Sequence, residues 1–164
     1  MVRDASEQAA GTPRLLALAA FAGVALAAGW VASIPVDGAL GARLGTLVAT
    51  LKPPPGAVAT IWIAAYLLAA LGIFLVWSAP GSRPRNAALL LFLTHLALNA
   101  LWMWLAFGIG WRIGALAAIA ALYLAAIALF VAAGRASRPA RWILVPYLVW
   151  TAGAAALGAA MALA

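Results

Sequence analysis

Five apolar runs, each of roughly 20 residues, alternate with short polar or glycine- and proline-rich breaks along this chain. They cover about residues 15–34, 57–77, 86–107, 113–133 and 142–163. All are rich in Leu and Ala and none alternates with a period of two, so they read as helices and exclude a closed β-barrel. A hydrocarbon core of about 30 Å takes roughly 20 helical residues to cross, so each run is long enough to span it. The expected fold is all-α: a polytopic membrane protein built as a five-transmembrane-helix bundle. Residues 1–14 read as an N-terminal tail and residues 15–164 as a single transmembrane domain. The first run exceeds the about 7–15 apolar residues of a signal-peptide core, and its flank (Arg3, Asp4, Glu7, Arg14) has no net positive charge, so it reads as a span.

The breaks have local causes. Residues 78–85 and 134–141 carry Gly, Ser, Pro and Arg, which neither neighbouring helix could place in lipid. Residues 107–112 (Phe-Gly-Ile-Gly-Trp-Arg) read as a tight hinge. The long connection is the first, residues 35–56. Its stretch 39–48 is expected to form a short interfacial helix, followed by the rigid segment Lys52-Pro53-Pro54-Pro55-Gly56. Within the fifth run, Pro146 predicts a local loosening of the helix.

Composition strengthens this picture. Hydrophobic residues make up 68% of the chain and charged residues 8%, against about 45–50% and 25% in a soluble domain. A water-soluble globule and a disordered chain are both excluded. Net charge is +7, but the basic residues sit between the apolar runs, so the charge implies loop placement and not nucleic acid. Arg3, Arg14, Arg83, Arg85, Arg135, Arg138 and Arg141 fall on one side of the bundle, and Arg43, Lys52 and Arg112 on the other. The positive-inside rule then puts the N-terminus in the cytoplasm and the C-terminus outside. The expected location is the bacterial inner membrane.

No Asp, Glu, Lys or Arg lies within the five runs. Ion-coupled carriers and carboxylate-pair hydrolases need such groups at depth, so both are excluded. With no Cys and one His, no metal cluster and no nucleophilic triad can be assembled, and no catalytic acid–base residues are assigned. The polar and aromatic residues left inside the runs fall on stripes. His95, Asn99 and Trp102 follow i, i+4, i+7; Trp62 and Tyr66 follow i, i+4; Tyr147 and Trp150 follow i, i+3. If these stripes face inward they form the wall of a site for a large, flat, mostly apolar molecule. Trp30, Trp77, Trp111 and Trp142, at the run ends, read as interface anchors. Ala154 with Gly158, and Gly110 with Gly114, are small-residue pairs suited to close helix packing.

The segment His95-Leu96-Ala97-Leu98-Asn99-Ala100-Leu101-Trp102, followed by Phe107-Gly108, resembles the third-helix signature of the tryptophan-rich sensory protein/translocator protein (TspO/MBR) family. In that signature a Gln or another polar residue commonly stands where His95 is. Pro146-Tyr147-Leu148-Val149-Trp150 resembles the fifth-helix signature, and Lys52-Pro53-Pro54-Pro55-Gly56 with Trp62 and Tyr66 resembles the start of the second helix. The likeness covers about residues 15–158. It implies a five-helix bundle with a ligand cavity, binding of tetrapyrroles such as protoporphyrin IX or haem, and a homodimer. It also implies pocket positions for Trp62, Asn99, Trp102, Tyr147 and Trp150. In some bacterial members, tryptophans matching Trp62 and Trp150 are linked to light-dependent porphyrin breakdown. The chain departs from the family in its first loop, which lacks tryptophan and is several residues longer, and in Leu157-Gly158 where Leu-Asn is common. The Tyr-then-Lys/Arg cholesterol motif of the animal proteins is missing too.

The expected function is therefore a membrane sensor or regulator that binds a flat apolar ligand, such as a porphyrin or haem, in an aromatic-lined pocket inside the bundle. Its candidate site is Trp62, Tyr66, His95, Asn99, Trp102, Tyr147 and Trp150. His95 is a candidate axial ligand if the porphyrin carries a metal. The alternatives are photo-oxidative porphyrin degradation at Trp62 and Trp150, and an accessory or assembly subunit of a larger membrane complex. Beyond such a ligand, the expected partners are the lipid bilayer and a second copy of the chain.

Overall fold

The computed structural model describes residues 2–36 and 56–163, with side chains described for 13–36, 56, 57 and 59–160. Among the described residues five long helices follow one another: α1 (Val2–Ser33), α2 (Ala57–Trp77), α3 (Arg83–Met103), α4 (Arg112–Ala136) and α5 (Arg138–Leu163). A 3-10 turn (Ile34–Val36) closes α1, and a π-helical segment (Trp104–Ile109) extends α3. Each of the five is long and apolar enough to cross a membrane, and together with their composition they make this an integral membrane protein. The expected interfacial helix at 39–48 and the triple proline lie outside the described residues.

Local chemistry sets the ends. Gly56, at φ 77°, provides the left-handed residue from which α2 starts, and its carbonyl accepts from both the backbone N and the Oγ1 of Thr60, at 2.9 and 3.0 Å. Ser82 caps α3 by accepting from the backbone N of Arg85 at 3.3 Å, and Ser137 caps α5 by accepting from Ala140 N at 3.4 Å. Pro84 and Pro139 then sit in the first helical turn, where the missing N–H costs nothing. As a result α3 and α5 begin a few residues earlier than expected. α1 begins at Val2 and runs through Pro13, so residues 2–14, expected as a tail, are helix; among the residues with described side chains, Pro13–Val36 is long and apolar enough to cross a membrane. The expected hinge at 107–112 is a wide turn: the π-helical segment ends at Gly110, φ 74°, and Trp111 N donates to the Leu105 carbonyl at 2.9 Å. Pro146 lies inside α5, which continues as one helix past it.

The helices pack as a ring in the order α1, α2, α5, α4, α3 and back to α1, with α2 also reaching across to α3. The interior is built largely from small residues. Ala25, Ala69, Ala70, Ala88, Ala133 and Ala140 are fully buried, while Leu15, Leu90, Leu124, Ile113 and Val149 are exposed on the outside. That inversion suits lipid: acyl chains are as apolar as leucine, so close backbone approach and interhelical hydrogen bonds must hold the bundle. Gly158 is one such approach, facing Trp102 and Ile119 so closely that a Cβ there would lie 3.3 Å from each ring or side chain. The α5 small-residue pair thus serves packing within the chain at Gly158. Trp30, Trp111 and Trp142 are exposed, as anchors at a membrane interface would be.

Candidate functional site

The i, i+4 and i, i+7 stripe on α3 turns into the bundle. His95 is fully buried, Trp102 nearly so, and Asn99 half-buried between them. Tyr66 of α2 and Tyr147 of α5 are buried as well, while Trp62 and Trp150 are half-buried. None of the seven candidate side chains is turned fully outward.

Two hydrogen bonds join these residues across the ring. Tyr66 donates through its hydroxyl to Asn99 Oδ1 at 2.8 Å, linking α2 to α3. His95 Nε2 is hydrogen-bonded to the Tyr147 hydroxyl, linking α3 to α5, with the two rings edge-on at 5.3 Å between centroids. The other imidazole nitrogen, Nδ1, lies 3.3 Å from the Leu122 carbonyl of α4. A carbonyl oxygen only accepts, so Nδ1 carries the hydrogen and Nε2 is the acceptor for Tyr147. One neutral imidazole thereby ties three helices together. Among the described residues no buried side-chain nitrogen or oxygen lacks a partner.

This arrangement bears on metal chemistry. The Nε2 lone pair that would ligate a porphyrin metal is taken by the Tyr147 hydroxyl, and ligation would require Tyr147 to swing away. Among the described residues no group of three or more His, Cys, Asp or Glu could hold a metal ion.

Access differs among the seven. Trp62 and Tyr66 border a groove of about 300 Å³ between α1 and α2, whose α1 wall is Leu26, Gly29, Trp30 and Ser33. Gly29 is where Tyr66 packs against α1. A Cβ at that position would come within 2.7 Å of Tyr66 Cε2, so glycine lets the phenol ring approach α1 this closely. Asn99 joins this groove indirectly, through the Tyr66 hydroxyl. Trp102 lies in a separate buried cluster with Met103 and Ile119, against which Trp62 and Phe107 also pack. Its ring meets Phe107 edge-on at 6.1 Å. Trp150 packs against the cluster that contains Tyr66, His95's partner Tyr147 and Phe92. The groove therefore meets two of the seven residues directly.

Gly29 and the Leu122 carbonyl were not among the sequence candidates. A glycine in an alanine-rich helix gives no signal of what it faces, and a backbone carbonyl leaves no trace in residue type. Trp104 is a further case: its indole Nε1 donates to the Val31 carbonyl at 3.2 Å and holds the π-helical segment to the end of α1.

A family model for the TspO/MBR family matches residues 16–163, nearly the whole chain. The chain belongs to the TspO/MBR family. The five-helix all-α bundle is the architecture this TspO/MBR protein was expected to have, and the match extends from the first span through the last.

Proposed function

We propose that this TspO/MBR protein is a membrane sensor or regulator that takes a flat, mostly apolar ligand, a porphyrin or haem, against the Trp62–Tyr66 face of the α1–α2 groove. One observation carries the reading: two aromatic side chains one helical turn apart line a groove of about 300 Å³ opposite a glycine. That volume lies at the lower end of the roughly 300–1,000 Å³ typical of small-molecule sites. The Tyr66–Asn99 hydrogen bond fixes the phenol, so the ring is already oriented before a ligand arrives. The seven-to-three division of basic residues supports a cytoplasmic N-terminus.

The test is a titration of protoporphyrin IX into the purified full chain in lipid nanodiscs, followed by absorbance. Saturable binding that weakens about tenfold in Trp62→Ala, the effect of losing about 1.4 kcal/mol of ring contact, supports the proposal. Trp142→Ala, at an exposed tryptophan, should bind as the wild type does. Non-saturable uptake, or equal weakening in both variants, overturns it.

A further inference from the structure

A second groove, of about 440 Å³, opens roughly four to five turns along α1 from the first, between Pro13 and Arg14 on one side and Trp77 and Ser78 on the other. These residues sit where two apolar runs meet polar sequence: the first run begins at Leu15, just after Arg14, and the second ends at Trp77, just before Ser78. The ends of spans of this length and composition are where lipid headgroups are met.

Its walls are held in place. Trp77 stacks on Phe74 at 6.2 Å and meets Phe21 edge-on at 6.3 Å, which fixes the indole as one side of the groove. The Trp77 carbonyl, at the negative end of α2, accepts from Arg85 Nε at 3.0 Å. The Arg85 guanidinium thereby offsets the negative helix terminus that would otherwise repel an anion. From residue 38 to the C-terminus the chain contains no acidic residue. The acids nearest to Arg14 in sequence, Glu7 and Asp4, lie about two and three turns earlier on α1.

We propose that this groove holds the headgroup of an anionic phospholipid. The phosphate would meet the Arg14 guanidinium and the Ser78 hydroxyl, the glycerol would lie along the Trp77 indole, and an acyl chain would descend beside Phe21 into the bilayer. Guanidinium, hydroxyl and an interfacial tryptophan at the hydrocarbon boundary are the groups that recognise such a molecule. This proposal is independent of the porphyrin reading, because no residue is shared between the two grooves.

Native mass spectrometry of the full chain, released from nanodiscs containing equal phosphatidylglycerol and phosphatidylcholine, tests it. The wild type should retain phosphatidylglycerol preferentially. Arg14→Gln should lower that preference about fivefold, the attraction one basic residue exerts near an anionic surface, and Arg14→Lys should recover most of it. Arg138→Gln removes a charge at the same end but outside the groove and should change the preference by less than about twofold. Soluble glycerol phosphate should not displace the lipid. Equal losses in Arg14→Gln and Arg138→Gln would show a diffuse charge effect and overturn the site, as would a wild type without preference. Displacement by glycerol phosphate would reassign the groove to a free phosphate and overturn the lipid proposal.

Discussion

Removing one hydroxyl should expose how much the interhelical imidazole contributes to holding the bundle. In Tyr147→Phe the ring stays and the donor to His95 Nε2 disappears. His95 is 0% exposed, so no water can replace the lost partner, and the lone pair is left unpaired in an apolar interior. An unsatisfied buried acceptor costs about 1–3 kcal/mol, whereas interhelical hydrogen bonds measured inside membranes average about 0.6 with a maximum near 1.7. The lower range governs, because helices already inserted in lipid can find other partners when the bundle opens. The expected loss is about 1 to 1.5 kcal/mol, roughly a five- to twelvefold drop in the folding equilibrium. Reversible unfolding of the full chain, by titrating denaturing detergent into mixed micelles and reading the midpoint, measures it. The double variant Tyr147→Phe/His95→Leu completes a cycle in which the coupling between the two positions should be about 1 kcal/mol. A Tyr147→Phe midpoint within error of the wild type, together with zero coupling, would refute the role assigned to this hydrogen bond.

Three further outcomes follow from the same geometry. His95→Gln should cost less than about 1 kcal/mol in that unfolding assay, because a carboxamide can both donate to the Leu122 carbonyl and accept from Tyr147, whereas His95→Leu loses both and should cost about 1–3. Gly29→Ala should destabilise by about 1–3 kcal/mol and weaken porphyrin binding together, since the new methyl lies within 2.7 Å of the Tyr66 ring and must push it off Asn99; thermal unfolding and the absorbance titration check the pair. At Gly158 the neighbours lie at 3.3 Å, so alanine should be accepted at under about 1 kcal/mol and leucine should cost more than about 2, a contrast that thermal unfolding resolves.

Much of the architecture is legible because lipid imposes a length on every span. The second span was expected at residues 57–77 and is observed at Ala57–Trp77, bounded by left-handed Gly56 and the polar turn at Ser78. The other ends moved where a residue has two meanings. Pro84 and Pro139 read as breakers in a linker, yet behind the caps Ser82 and Ser137 they occupy first-turn positions that favour proline. Pro13 also reads as a boundary, while α1 continues through it. The ring order α1, α2, α5, α4, α3 could not be read from span counting, because nothing in an apolar run names its neighbour.

The site shows the same division. Periodicity placed His95, Asn99 and Trp102 on one face and paired Trp62 with Tyr66, because side-chain direction along a helix follows from spacing alone. Which stripe meets which depends on the register between helices. That is why the Tyr66–Asn99 and His95–Tyr147 pairings, and the fit of Tyr66 against Gly29, emerged only from the coordinates. Trp102 is a case in point: its inward orientation follows from its spacing, but its place against Ile119 and Gly158, outside the lining of the Trp62–Tyr66 groove, does not.

A structure of this TspO/MBR protein determined with protoporphyrin IX bound tests the central claim most directly. The macrocycle should lie in van der Waals contact with Trp62 and Tyr66 between α1 and α2, with the Tyr66–Asn99 hydrogen bond retained. A macrocycle seated on an outward-facing ring such as Trp142, with the α1–α2 groove filled by lipid, would contradict it.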